Sequence, residues 1–146
     1  MLGALHGGIA FSNSSVALVH GMARPLGAVF HVPHGVSNAV LLKEVMEFSV
    51  LGNPERFAKI AETMGENIRG LSVMDAANKA VMAVDRLICD IKVPTLKDLG
   101  IDRDKLIDVS EKMAIDAIDS GSPGNNPRIA TKNEIVELYK KVYDAR

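Results

Sequence analysis

Residues 72–91 read SVMDAANKAVMAVDRLICDI, and this stretch indicates the fold class of the chain. Ser72 and Asp75 match the S-x-x-D pattern of a capping box, in which side chains satisfy free backbone N–H groups at a helix start. Pro94 ends the pattern, because proline lacks the N–H that a continuing helix needs. We therefore predict a helix over about 72–91. The apolar residues at helical spacing, which we expect to face inward, are Val73, Ala77, Ala80, Val84, Leu87 and Ile88.

The other segments also indicate helices, and none shows the apolar–polar alternation of a β-strand. Residues 1–11 are predicted to be the end of a buried helix, in which Gly7 and Gly8 allow close helix packing. A helix over about 14–23 is predicted to be disturbed by Pro25. Thr131 and Glu134 form a second capping box, which predicts a final helix. Further helices are predicted over about 34–49, 55–64 and 103–120, so we expect an all-α fold.

Length and composition indicate a single helical domain over residues 1–146. Hydrophobic residues make up 47% of the chain and charged residues 24%, which excludes a disordered protein. The 17 basic and 18 acidic side chains give a net charge of −1, which argues against nucleic-acid and membrane partners. Neither a secretory signal nor a membrane-spanning run is evident. Cys89 is the single cysteine, and we expect a packed or inert thiol in a cytoplasmic protein.

The charges are unevenly distributed along the chain. Residues 1–42 contain one charged side chain, Arg24, although an exposed helix in this stretch would need a polar face. Two interpretations follow from composition alone. Either the first helix pair is deeply buried within the domain, or the segment packs against protein outside this chain.

All four histidines lie in the first 34 residues, and two of them indicate a metal site. His20 lies late in one predicted helix and His34 at the start of the next, across a bend that contains Pro25, Gly27 and Pro33. A helical hairpin of this kind can bring two imidazoles to one point. Two histidines are nevertheless too few for a catalytic divalent metal, which normally takes three protein ligands.

No other motif supplies the missing ligands. Asp75, Asp85 and Asp90 lie on what reads as a solvated amphipathic helix, so we interpret them as structural. The chain contains no H-E-x-x-H motif, no cysteine pair and no glycine-rich phosphate loop.

Two segments carry a resemblance to a known family. Residues 19–28 read VHGMARPLGA and residues 32–42 read VPHGVSNAVLL. Together they closely resemble the signature of the iron-containing alcohol dehydrogenases, approximately H-x-M-x-H-x-x-G followed by P-H-G-x-x-N-A-x-L-L. The separation of 14 residues between His20 and His34 matches that of the family's two C-terminal metal histidines. The segments 8–13, 45–48 and 126–128 extend the resemblance over essentially the whole chain.

The resemblance implies a helical bundle of the dehydroquinate synthase-like fold, the C-terminal part of a larger two-domain enzyme. Members of the family are two to three times longer, and an N-terminal domain, absent from this chain, binds NAD or NADP. On this basis His20 and His34 are expected to bind iron(II), or zinc, and an Asp–His pair on an earlier helix would complete the site. The metal would act on a small alcohol or aldehyde substrate in an enzyme that we expect to be a homo-oligomer. We expect the 146-residue chain alone to be a fragment with little or no dehydrogenase activity.

One position departs from the family pattern. Many members carry a second histidine four residues after the first, and Arg24 stands there in this chain. Arginine cannot relay protons at neutral pH, because its guanidinium stays protonated. Arg24 is the catalytic-site candidate that could contact a substrate carboxylate or a cofactor phosphate, or could pair structurally. His31 would at most line the site.

Two alternatives to this function stay open. The chain could be a helical interaction module whose apolar N-terminal face mediates self-association without catalysis. It could also belong to a zinc-dependent enzyme similar to glycerol dehydrogenase, because histidine ligands alone do not select iron over zinc.

Overall fold

The computed structural model describes residues 1–145, which form seven α-helices and one 3-10 turn, with no β-strand in this range. The all-α prediction is therefore confirmed for the described residues. The helices are α1 Leu2–Ser14, α2 Leu18–Phe30, α3 His34–Val50, α4 Pro54–Thr63, α5 Val73–Asp90, α6 Arg103–Asp119 and α7 Lys132–Asp144, and the 3-10 turn is Ser122–Asn125.

Side chains cap the N-termini of the last four helices. The side chains of Asn53, Ser72 and Asp102 each accept a hydrogen bond from a backbone N–H one turn into α4, α5 and α6. Thr131 and Glu134 form a reciprocal capping box at the start of α7. Each cap satisfies an N–H that would otherwise lack an intrahelical partner. The predicted starts of α5, α6 and α7 are confirmed.

Helix α2 differs from its prediction at both ends. It begins at Leu18, runs through Pro25 and ends at Phe30, so the prediction that Pro25 disturbs a helix over 14–23 was wrong. The proline removes one N–H donor, whereas Met22 and Leu26 on either side of it are fully buried. Burial of this apolar face holds the helix together past the proline.

The main core joins α2, α3, α6 and α7. A hydrogen bond crosses it, from the buried Tyr139 hydroxyl of α7 to the Met22 carbonyl of α2, over 2.7 Å. A smaller core lies between α3, α4 and α5. Fully buried residues of the main core include Leu18, Met22, Leu26, Leu41, Leu106, Met113 and Ile135.

The inward face of α5 differs in part from the prediction, because Ala76, Val81 and Ala83 are buried as well. Ala77, Ala80 and Ile88 are buried, but Val73 and Leu87 are each 49% exposed. Of the two expectations for Cys89, a packed thiol is wrong because the residue is exposed, and an inert thiol stays a prediction.

Helix α1 stands apart from the core. None of its residues is buried, and nothing lies within 4 Å of a side chain added at Gly7 or Gly8. The predictions of a buried helix and of close glycine packing were therefore wrong, because no other part of residues 1–145 covers α1. No single helix in this range is long and apolar enough to span a membrane. Within residues 1–145, only α1 and α2 taken together reach the length and hydropathy of a membrane span, and a bend of 105° lies between them.

Candidate metal centre

A helical hairpin brings His20 and His34 together. Three residues separate the end of α2 from the start of α3, and His31 makes the bend in the left-handed conformation, with φ of 55°. Gly27 lets the two arms approach, because a Cβ there would lie 2.9 Å from the Val32 carbonyl oxygen. The two imidazole centroids are 5.4 Å apart, with the ring planes inclined at 58°.

The separation of the two rings suits a shared cation. An imidazole nitrogen coordinates a divalent metal at about 2.1 Å, which places the ring centroid about 3.2 Å from the ion. Two such rings lie 5.4 Å apart when they subtend about 115° at the ion. That angle is close to the tetrahedral angle, so the separation of the two rings matches that of two ligands in a four-coordinate site.

The electrostatic surroundings keep His20 neutral. Partial burial, the nearby His34 imidazole and the Arg24 guanidinium all lower the pKa of His20 below its ordinary value of 6.5. A neutral imidazole is the form that donates a lone pair to a metal. The lowered pKa of His20 therefore favours the form that could bind a metal.

His34 has a polar neighbour one turn along α3. The side-chain nitrogen Nδ2 of Asn38 lies 2.8 Å from the His34 carbonyl oxygen and donates a hydrogen bond to it. The same nitrogen lies 3.2 Å from Nε2 and 3.4 Å from Nδ1 of the His34 ring. Sequence reasoning gave Asn38 no role, although its position four residues after His34 on a helix places the two side chains on one face.

The other two histidines and Arg24 are exposed. His6 is on the exposed helix α1, and His31 is exposed at the bend. Arg24 is exposed on α2 and forms no ion pair with the described residues. Within residues 1–145, no group of three or more His, Cys, Asp or Glu side chains could hold a metal ion. Within this range, His20 and His34 are therefore the only pair of candidate ligands that the structure brings together.

A cavity of about 450 Å³ lies between α3 and α7, but neither histidine lines it. Lys141 in its wall contacts Glu44 and Glu47 at 3.0 Å each, and Lys43 contacts Glu44 at 2.6 Å. The Arg128 guanidinium stacks 3.9 Å above the Phe48 ring. Because these wall charges already pair with one another, the histidine hairpin is the better candidate for the functional site.

Comparison with known proteins identifies the family. Residues 1–143 match the model of the iron-containing alcohol dehydrogenase family, C-terminal region. This chain belongs to that family. A 1,3-propanediol dehydrogenase of Klebsiella pneumoniae is 43% identical to it, and the alignment covers 93% of this chain and 34% of the relative. An NAD-dependent methanol dehydrogenase of Bacillus methanolicus is 34% identical, over 91% of this chain and 34% of that protein.

The fold agrees with a solved structure of the family. The crystal structure of a 1,3-propanediol oxidoreductase superimposes with a TM-score of 0.86 at 44% identity, over 92% of this chain and 35% of that one. The helical architecture is therefore that of the family's C-terminal domain. The chain spans about a third of the length of the relatives that it matches.

Proposed function

We propose that this chain provides the metal-binding part of an alcohol dehydrogenase that interconverts small alcohols with aldehydes or ketones. The observation that carries the proposal is the pair of imidazoles, His20 and His34, with centroids 5.4 Å apart in a chain of this family. The proposal concerns the whole enzyme, whereas the chain spans about a third of its relatives.

His20 and His34 would hold the metal through one ring nitrogen each. Iron(II) is the metal that the family name suggests, and zinc accepts the same nitrogen donors. A bound divalent metal supplies Lewis acidity toward the oxygen of an alcohol or carbonyl substrate. The role of the two imidazoles is to fix the position of that charge, and further ligands must come from outside residues 1–145.

NAD or NADP is the proposed cofactor, supported by a relative that is named NAD-dependent. Residues 1–145 contain no strand followed by a glycine-rich loop, which is the usual cradle for a dinucleotide pyrophosphate. The described helices therefore do not fit the cofactor by themselves. We propose that protein outside this range binds the dinucleotide.

Arg24 is proposed to bind anionic oxygens beside the metal, from a substrate carboxylate or a cofactor phosphate. It lies one helical turn after His20, and residues 1–42 contain no acidic side chain that could neutralise it. A guanidinium binds both groups through paired hydrogen bonds. Arg24→Gln should weaken the binding of such an anion, and equal binding by the variant would contradict this role.

Metal titration tests the centre directly. We expect the chain to bind Zn²⁺ or Co²⁺, and His20→Ala and His34→Ala each to reduce the affinity by tenfold or more. His6→Ala is the matched control, because it removes a histidine from exposed α1. Isothermal calorimetry measures all three variants. Equal affinity in His6→Ala and His20→Ala would refute the site.

Self-association is a second candidate function, favoured by the exposure of α1. Leu5, Ile9 and Phe11 are between 54% and 59% exposed on a helix without a charged residue. A helix that is apolar on all sides is normally covered, and we propose that a second copy of this chain covers it in a homo-oligomer. An Ile9→Glu variant should be monomeric in light scattering, whereas Leu51→Glu, at an equally exposed leucine away from α1, should keep the oligomer.

A cytoplasmic location is proposed from the cysteine content. Cys89 is single and exposed, so it cannot form an internal disulfide and needs no oxidising compartment. Cell fractionation with an antibody to the chain tests this, and recovery in a secreted fraction would contradict it.

A further inference from the structure

Helix α2 lacks the side-chain cap that each of the last four helices has. Its N-cap residue is Ala17, which has no polar side chain, and Gly21 donates the first backbone hydrogen bond, to the Ala17 carbonyl over 3.2 Å. His20 comes before that bond, in the first turn of the helix. A first turn without a cap leaves its N–H groups unsatisfied and opens readily. The position of His20 therefore depends on what else holds this turn.

The backbone is strained just before α2. Ser15 has φ of 64° and ψ of −178°, a conformation that is essentially restricted to glycine. A residue keeps such a conformation only when its surroundings hold it there. The bend of 105° between α1 and α2 lies across residues 15–17. If Ser15 relaxed, the two residues after it would change direction, and the first turn of α2 would move with them.

The 3-10 turn contacts the start of α2 at two points. The nitrogen Nδ2 of Asn125 donates hydrogen bonds to the Val16 carbonyl oxygen at 3.0 Å and to the Ser15 hydroxyl oxygen at 3.3 Å. The amide nitrogen has two hydrogens, so it can serve both acceptors at once. The ring of Pro123 lies against Gly21, where an added Cβ would be 2.9 Å from the ring carbons Cγ and Cδ. The turn therefore holds both the strained bend and the helix residue next to His20.

We propose that Asn125 is a positioning residue for His20, which keeps the imidazole opposite His34 by holding the bend before α2. The inference rests on the proposed metal centre. An ion that binds both imidazoles needs each of them at about 2.1 Å, so a chain whose first turn has opened offers one ligand instead of two. The apparent affinity then falls with the fraction of chains in which the first turn is formed.

The test compares Asn125→Ala with the wild-type chain by calorimetry with Zn²⁺ and by the nuclear Overhauser effect between the His20 and His34 ring protons without metal. We expect Asn125→Ala to weaken Zn²⁺ binding by about 3-fold to 10-fold, the equivalent of one hydrogen bond, and to reduce the effect between the rings. Asn125 is exposed, so its replacement leaves the core intact. Asn78→Ala, at an exposed asparagine of α5, is the control and should change neither reading.

The outcomes separate this role from the metal centre itself. In a chain that binds Zn²⁺, the role requires both readings to fall in Asn125→Ala and neither in Asn78→Ala, and any other pattern overturns it. A lower free energy of unfolding in urea with unchanged rings would show that Asn125 is structural alone. Failure of the wild-type chain to bind Zn²⁺ would refute the metal centre, and the effect between the rings would then decide whether Asn125 positions His20.

Discussion

The replacement Gly27→Ala should destabilise the protein even though alanine is the better helix former. An added Cβ would lie 2.9 Å from the Val32 carbonyl oxygen and 3.3 Å from the Ser37 hydroxyl. Alanine gains about 1 kcal/mol of helix propensity over glycine. Overpacking of this kind costs about 1–3 kcal/mol, and displacing Val32 also strains the 3.3 Å hydrogen bond that its carbonyl accepts from Ser37. The net expectation is a loss of about 1 kcal/mol.

A second glycine provides the matched control. Gly35 lies in the first turn of α3, and nothing lies within 4 Å of an added Cβ there. Gly35→Ala should therefore stabilise the protein by about 0.5 kcal/mol, since only the backbone-entropy gain remains. Urea unfolding followed by circular dichroism measures both variants against wild type. A Gly27→Ala protein as stable as Gly35→Ala would refute the close approach of the two hairpin arms.

Three further predictions concern the core, a helix cap and the acid limb. Tyr139→Phe removes the buried hydrogen bond between α7 and α2 and should lower the free energy of unfolding in urea by about 1 kcal/mol. An unchanged free energy would show that this hydrogen bond does not stabilise the fold. Thr131→Ala breaks the capping box of α7 and should lower the free energy of unfolding by about 1 kcal/mol, and with it the melting temperature. Thr63→Ala, at the exposed end of α4, is the comparison. Burial raises the pKa of Glu47, but hydrogen bonds from Lys141 and Lys43 outweigh it and leave the pKa below 4.5. The ionised Glu47 contributes to the free energy of unfolding above pH 4.5, and this contribution is lost as the pH falls through the lowered pKa. In Glu47→Gln, the free energy of unfolding should therefore fall less steeply on the acid side. An unchanged dependence on pH would contradict the pairing of Glu47 with the two lysines.

Local signals in the sequence predicted much of the fold. The caps at Ser72 and Thr131 act within one turn, so their effect can be identified without knowledge of the rest of the chain. The hairpin that brings His20 and His34 together could also be predicted, because it needs only two helices and a short bend.

Other features depend on contacts distant in sequence. Pro25 remains helical because its neighbours in α2 are buried against other helices, and no local rule contains that information. Val73 and Leu87 share the spacing of the inward residues of α5, yet each is 49% exposed. Helix α1 is likewise exposed because no other part of residues 1–145 packs against it, and the sequence of α1 itself does not show this. The contact between Asn38 and His34 is local, but the direction of an amide is visible only in the structure.

The shortness of the α2–α3 connection affects how the histidine pair assembles. Loop-closure entropy rises with the length of chain between two points, and only 14 positions separate the two imidazoles, most of them helical. Low sequence separation also favours early formation during folding. Once α2 and α3 have formed, the two rings therefore meet at little further cost in chain entropy, and a cation that bound both would stabilise the hairpin without ordering any longer stretch of polypeptide.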